Sequence, residues 1–86
     1  MEVGQNYLFM TMTFYWTGRV VAITPADITI DDAAQVFDTG ELETTLKSGE
    51  VNICQAIPGG TLVTIPRNGT TAIEWKPNLI RKSKRG

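Results

Sequence analysis

The sequence predicts a small all-β domain that contains one short inserted helix. Most of the chain consists of short runs of β-branched and aromatic residues, and glycine, proline and asparagine turns separate these runs. The stretch 38–49 differs, because its apolar residues have helical spacing. At 86 residues the chain is one domain, and association with further copies would help a chain of this size to bury apolar surface.

The first predicted strand is the apolar run Tyr7–Trp16. Every even-numbered position of this run is apolar, whereas the odd-numbered positions are mixed. A period of two is typical of a strand with one buried face. The side chains that we expect to line the core are therefore Leu8, Met10, Met12, Phe14 and Trp16.

A bent hairpin follows and forms the centre of the predicted domain. Two strand-forming runs, 19–24 and 27–37, flank a proline-containing turn. Gly18 precedes the first run, and a residue without a Cβ atom lets a strand bend or carry a bulge. Beyond Ile30 the alternation would bury one carboxylate of the pair Asp31-Asp32. The alternation therefore leaves the phase of the strand open beyond Ile30, unless a bulge shifts the register there.

A short helix is predicted directly after the hairpin. Asp38 and Glu41 have the spacing of a capping box at its start. Glu43 precedes Lys47 by four residues, which favours an ion pair on the exposed face. Gly49 is a suitable C-cap, so the helix should end there.

Three more strands are predicted between this helix and the C-terminal tail. They cover residues 51–57, 61–65 and 70–75. The two turns between them are Pro58-Gly59-Gly60 and Arg67-Asn68-Gly69. Five or six short strands with one helix predict a small barrel, and any edge left open is a candidate site for a neighbouring subunit.

The net charge of −1 is unevenly distributed along the chain. Four basic residues lie in the last six positions, so residues 1–80 carry four positive and nine negative charges, a net of −5. A basic tail on an acidic body can hold a nucleic-acid backbone by charge, and it is also typical of a solvated, disordered end. We therefore predict one folded domain over residues 1–80 and a disordered basic tail over residues 81–86.

The residues present argue against an enzyme. Histidine, the usual acid–base group near neutral pH, is absent. Cys54 has no imidazole to activate it and lies in an apolar strand pattern, which favours a buried small side chain. The acidic residues match no calcium loop, and the usual zinc ligand sets are missing. The sequence predicts no catalytic residue, no metal and no cofactor.

The sequence favours a cytoplasmic location. One cysteine cannot form an internal disulfide, which fits a reducing compartment. The apolar runs are too short to cross a bilayer, and the first residues lack the pattern of a signal peptide. We therefore expect a cytoplasmic protein without a membrane partner.

Two segments resemble the two motifs of the Sm and Sm-like (LSm) family. Residues 17–34 (TGRVVAITPADITIDDAA) contain a glycine, a hydrophobic run, an Asp, alternating hydrophobics and an acidic pair, which is similar to the first motif. Residues 64–73 (TIPRNGTTAI) are similar to the second motif, in which a short strand runs into Arg-Gly and then into a final strand. The overall pattern also resembles small phage-encoded Sm-like proteins.

The resemblance implies a strongly bent five-stranded Sm-like (SH3-type) barrel that assembles into a homo-oligomeric ring. In this family the loops between strands two and three and between strands four and five face the pore and hold single-stranded RNA. The resemblance implies an RNA-binding role for Asp27, which stands where the first motif usually has Asn. It implies the same role for Arg67, Asn68 and Gly69. The last strand of one subunit would pair with the fourth strand of the next.

Alternatives remain open at the level of sequence. Arg67-Asn68-Gly69 is also a strong signal for a plain hairpin turn. The same barrel without RNA would be an oligomeric protein-interaction or assembly module. Trp75 ends the last predicted strand and fits either the core or a subunit contact.

Overall fold

Six strands and one helix make up the fold in residues 1–84, which the computed structural model describes. All strand pairs are antiparallel, the sheet order is β4-β3-β2-β1-β6, and β5 pairs with β3. The prediction of a small all-β fold with one short helix is confirmed. The elements are β1 (Asn6–Met10), β2 (Tyr15–Ile23), β3 (Asp27–Asp38), α1 (Leu42–Ser48), β4 (Ile53–Ala56), β5 (Val63–Pro66) and β6 (Thr71–Glu74).

The longest strand, β3, organises the sheet. One of its edges pairs with β2, and its other edge pairs with β5 over residues 27–30 and with β4 over residues 34–38. The sheet is bent: β5 pairs with the N-terminal half of β3, and β4 pairs with its C-terminal half. Within residues 1–84, β5 and β6 do not pair with each other, so the six strands do not form a closed, fully hydrogen-bonded barrel.

A bulge after Ile30 shifts the register of β3 and settles the phase that the sequence left open. The register between β2 and β3 changes from Thr17 opposite Ala34 to Arg19 opposite Asp31, so two residues of β3 face one residue of β2. One of the two, Asp32, has a φ of 49°, a left-handed conformation that Asp adopts more readily than most residues.

An ion pair holds the bulge at the surface. The Arg19 guanidinium lies 3.2 Å from the Asp31 carboxylate and 2.8 Å from the Asp32 carboxylate. The N–H of Asp32 also donates a hydrogen bond to the Asp31 carboxylate at 2.8 Å. The register shift therefore lets Ile30 and Ala33 stay buried while both acids remain partly exposed.

The prediction of one strand over Tyr7–Trp16 is wrong, because a turn at residues 11–14 separates β1 from β2. The Thr11 hydroxyl closes this turn: it accepts a hydrogen bond from the Phe14 N–H at 3.1 Å and donates one to the Phe14 carbonyl at 2.5 Å. A threonine hydroxyl that bonds to the nearby backbone stabilises a turn of this kind. Met12 at the tip is 95% exposed instead of lining the core.

The helix begins differently from the prediction and ends as predicted. Gly49 is the C-cap in a left-handed conformation with a φ of 77°, and the Lys47 ammonium lies 3.2 Å from the Glu43 carboxylate. The capping box is wrong, because the N-cap is Glu41, whose side chain makes no capping hydrogen bond. The Asp38 carboxylate instead accepts a hydrogen bond from the N–H two residues further on.

The buried side chains form two clusters. Successive residues of a strand point to opposite faces, so Phe9 belongs to the first cluster and its neighbour Leu8 to the second. The second cluster also contains Trp75, which is 3% exposed and donates from its indole nitrogen to the Asn78 carbonyl at 3.0 Å. Trp75 is therefore a core residue of the single chain.

The C-terminal end lies against β4. The predicted disordered tail covers residues 81–86, of which Arg85 and Gly86 lie outside the described residues. Ile80, just before it, is only 4% exposed. Arg81 and Ser83 donate hydrogen bonds to backbone carbonyls of Ile57 and Cys54.

Candidate nucleic-acid interface

Two loops that are distant in sequence lie side by side at one rim of the sheet. The β2–β3 loop covers residues 24–26, and the β5–β6 loop covers residues 67–70. The Arg67 N–H donates to the Ala26 carbonyl at 2.9 Å, and the Arg67 guanidinium donates to the Thr24 carbonyl at 3.1 Å. We call this pair of loops the rim. It brings together the four residues that the resemblance assigns to RNA, and all are exposed: Asp27, Arg67, Asn68 and Gly69.

Threonine hydroxyls fix the shape of both loops. In the β2–β3 loop, the Thr24 hydroxyl accepts hydrogen bonds from the backbone N–H groups of Ala26 at 3.2 Å and Asp27 at 2.9 Å. In the β5–β6 loop, the Thr70 hydroxyl donates to the Pro66 carbonyl at 2.6 Å. Gly69 has a φ of 80°, which explains the glycine at this position. The rim is therefore preorganised, and Arg67-Asn68-Gly69 does form the predicted turn.

Arg67 supplies the positive charge of the rim. Its guanidinium has five N–H donors in a fixed planar fork, and one of them binds the Thr24 carbonyl. Within residues 1–84, no carboxylate forms an ion pair with it. Asp27 lies on the same rim, where β3 begins opposite Pro66. The rim thus presents one cation beside one anion.

A cavity of about 340 Å³ adjoins the rim between the β5–β6 loop and the turn at residues 11–14. Its lining includes the apolar side chains of Met12, Phe14 and Trp16 together with Asn68. Phe14 is 44% exposed, so one aromatic ring is accessible beside the predicted site. Accessible aromatic rings are the surfaces on which unpaired bases stack.

The sequence interpretation missed Phe14 because it assigned this residue to a buried strand face. The residues of the turn that could have shown the break are Thr11 and Thr13, which interrupt the apolar run. In the structure Phe14 also contacts Phe37 in an edge-to-face arrangement, with ring centroids 6.0 Å apart. Phe37 is itself 51% exposed. This contact holds the Phe14 ring in a defined orientation.

Other features of residues 1–84 do not indicate a functional class. Residues 1–84 contain no group of three or more His, Cys, Asp or Glu side chains that could hold a metal ion. The single helix of this part of the chain is too short and too polar to cross a membrane. Comparisons with protein-family models, curated proteins and solved structures found no match to this chain. The rim and the cavity beside it are therefore the features that indicate a function.

Proposed function

We propose that this protein is a non-catalytic, ring-forming Sm-like protein that binds single-stranded RNA at the rim. The observation that carries the proposal is the hydrogen-bonded convergence of the β2–β3 and β5–β6 loops. In the family which the two motifs resemble, RNA is held by the loop between strands two and three and by the loop between strands four and five. The β5–β6 loop corresponds to the latter, because it carries the second motif and directly precedes the final strand. In this proposal the bent sheet is a barrel of the Sm type, and the rims of successive subunits surround a central pore.

The chemistry of the rim fits an unpaired nucleotide. The Arg67 guanidinium would bind a phosphate, for which its planar fork is well suited. The Asn68 amide can both donate to and accept from a base edge, whereas the Asp27 carboxylate only accepts, as the imino N–H of uracil requires. Phe14 would stack on a base, and Gly69 would let the phosphate approach the backbone.

Ring formation requires free strand edges, and among residues 1–84 one edge of β6 pairs with no other strand. The Trp75 N–H donates to the Asn6 carbonyl at 3.0 Å, so this pair belongs to the hydrogen-bonded type in the antiparallel ladder. Such pairs alternate with pairs whose N–H and C=O groups point away from the partner strand. Ala72 and Glu74 therefore direct their backbone groups away from β1.

The complementary edge belongs to β5, the strand directly before the final one, which corresponds to the fourth strand of the five-stranded family. The Arg67 N–H donates to the Ala26 carbonyl, so these two residues form a hydrogen-bonded pair of the β3–β5 ladder. Because such pairs alternate with outward-facing ones, Thr64 and Pro66 direct their backbone groups away from β3. Pro66 has no N–H, and the Thr70 hydroxyl already occupies its carbonyl. Head-to-tail pairing of β6 with β5 would thus be centred on Thr64, and repetition of this contact would generate a ring.

RNA binding is tested with a fluorescent uridine-rich oligoribonucleotide titrated at several salt concentrations. We expect the affinity to fall steeply with salt, and Arg67→Gln to weaken binding by about 10-fold and to lower the slope of log K against log salt by about 0.7. Lys47→Gln on the exposed face of α1 is the matched control and should leave the affinity nearly unchanged. Absence of binding at low salt, or an equal loss in both variants, would contradict the proposal.

Assembly is tested by light scattering on nuclease-treated protein. The full chain should have a discrete ring mass, and Glu74→Pro should reduce it to the monomer mass, because proline removes an outward N–H from an edge strand without breaking the β1–β6 ladder. Glu74→Ala keeps the N–H and should keep the ring. A monomeric wild-type protein, or an intact ring in Glu74→Pro, would refute this mode of assembly.

A second candidate function is an oligomeric assembly module that does not bind RNA. Two observations favour it: Asp27 adds a negative charge to the rim of an already acidic body, and Met12 and Phe37 expose large apolar surfaces. Exposed aromatic and methionine side chains are typical of protein contacts. A ring mass combined with no RNA binding at any ionic strength would favour this candidate.

A further inference from the structure

The outer edge of β4 carries backbone groups that face away from the sheet. The Ile57 N–H donates to the Ala33 carbonyl at 2.8 Å, which continues the β3–β4 ladder by one residue. In an antiparallel ladder the hydrogen-bonded pairs alternate with outward-facing ones. Cys54 and Ala56 therefore direct their N–H and C=O groups away from β3.

The C-terminal segment covers this edge. We call residues 81–84 the strap. The Ser83 hydroxyl accepts a hydrogen bond from the Cys54 N–H at 2.8 Å and donates one to the Cys54 carbonyl at 2.9 Å. One side-chain hydroxyl thus replaces both bonds that a neighbouring strand would make to Cys54.

Three more hydrogen bonds hold the strap on either side of Ser83. The Lys84 N–H donates to the Val51 carbonyl at 2.9 Å, and the Arg81 guanidinium donates to the Ile57 carbonyl at 2.8 Å and to the Ala33 carbonyl at 3.4 Å. The buried Ile80 anchors the chain just before the strap. The strap is therefore attached mainly by polar contacts to the backbone of the β4 region.

The β4 edge lacks the usual protection of an edge strand. Natural edges are commonly protected by charged residues or proline, and the other two edges have them, since β5 ends in Pro66 and β6 in Glu74. The segment Ile53–Ile57 (ICQAI) contains neither, and Ile53 is 44% exposed. A short uncharged segment of this kind associates readily with other strands when it is uncovered.

The segment is also complementary to itself. Antiparallel pairing of two copies about Gln55 would place the outward-facing groups of Cys54 opposite those of Ala56 of the partner subunit. It would place Ile53 opposite Ile57 of the partner subunit. The side chains in these cross-strand pairs are apolar or small, and no like charges lie opposite each other, so the pairing is favourable. A two-fold axis through Gln55 repeats the same pairs on its other side.

We propose that the β4 edge is a second self-association surface, that the strap occupies it within each chain, and that removal of the strap opens it to β4 of a second copy. The strap and the second copy require the same N–H and C=O groups of Cys54, so the two states exclude each other. This surface is separate from the β5 and β6 edges and does not depend on RNA binding.

The test compares the full chain with Ser83→Ala and with a chain that ends at Ile80. In both variants the Cys54 amide should exchange hydrogen about 5- to 10-fold faster in dilute solution. As the protein concentration rises, the mass from light scattering should double relative to the full chain, and the Cys54 amide should regain its protection. Ser48→Ala changes the chain's other serine, on the exposed end of α1, and should behave like the full chain.

A third variant locates the contact. Ala56→Pro in the Ser83→Ala background removes an outward N–H of β4 and should abolish the doubling of mass. If the rate of hydrogen exchange at the Cys54 amide were unchanged in both Ser83→Ala and the chain that ends at Ile80, the strap would not protect the β4 edge. Faster exchange without a doubling of the mass would show that β4 of a second copy does not bind the uncovered β4 edge. A doubling of the mass that persists in the Ala56→Pro variant would show the same.

Discussion

Replacement of Phe9 by alanine should lower the free energy of unfolding by about 3–5 kcal/mol. Phe9 is fully buried in the first cluster, where its ring centroid lies 5.8 Å from that of Tyr7. Small domains have total stabilities of about 5–15 kcal/mol, so this loss is a large fraction of the total. Urea denaturation followed by circular dichroism at one fixed protein concentration measures the change.

The matched control is Phe37→Ala, because Phe37 is 51% exposed. It should cost less than about 1.5 kcal/mol, mostly from the lost contact with Phe14. If the two phenylalanine variants had equal stabilities, the assignment of Phe9 to the centre of the core would be wrong.

Substitution of Gly18 by alanine should lower the free energy of unfolding by about 1–3 kcal/mol. A Cβ atom at this position would lie 2.8 Å from Ile30 Cδ1 and 3.0 Å from Ile30 Cβ. The Cδ1 methyl can rotate away, but the Ile30 Cβ atom moves only with the backbone of β3. The added methyl group therefore has to displace the strand at the point where it bends.

Two comparisons isolate this steric cause. Gly59→Ala should be neutral or slightly stabilising, since its nearest contact would be Asp32 Oδ1 at an ordinary 3.8 Å. The double variant Gly18→Ala/Ile30→Val lacks the Cδ1 methyl and should cost less than the sum of the two single changes. Strict additivity in urea denaturation would mean that Gly18 and Ile30 do not meet across the bulge.

The central hairpin could be predicted from sequence because local chemistry determines it. A proline-containing turn allows few conformations, so the turn follows from a few residues. The last two turns were predicted for the same reason. The pair Asp31-Asp32 cannot be buried without partners, which marks the point where the register shifts but does not by itself determine the bulge. The turn at residues 11–14 was missed, because the alternation of apolar residues continues through it and only threonine hydroxyls interrupt the strand.

The candidate site was predicted in part. Asp27, Arg67, Asn68 and Gly69 follow from the resemblance, and the structure places them on one rim. Phe14 and the cavity were missed, since they depend on a turn that only Thr11 and Thr13 mark in the sequence. The strap could not be predicted: composition shows that residues 81–86 are basic, but only tertiary structure shows that a serine hydroxyl can replace a neighbouring strand.

The pairing of β1 with β6 has a consequence for synthesis of the protein. Tyr7 lies opposite Glu74, so the first strand of this sheet pairs with a strand that is translated after all the others of the sheet. Until then β1, which carries the buried residues Leu8 and Phe9, lacks one of its two neighbouring strands. Folding that depends on such distant contacts is slow, and incomplete chains are prone to aggregate. The sheet is therefore completed only after β6 has been translated.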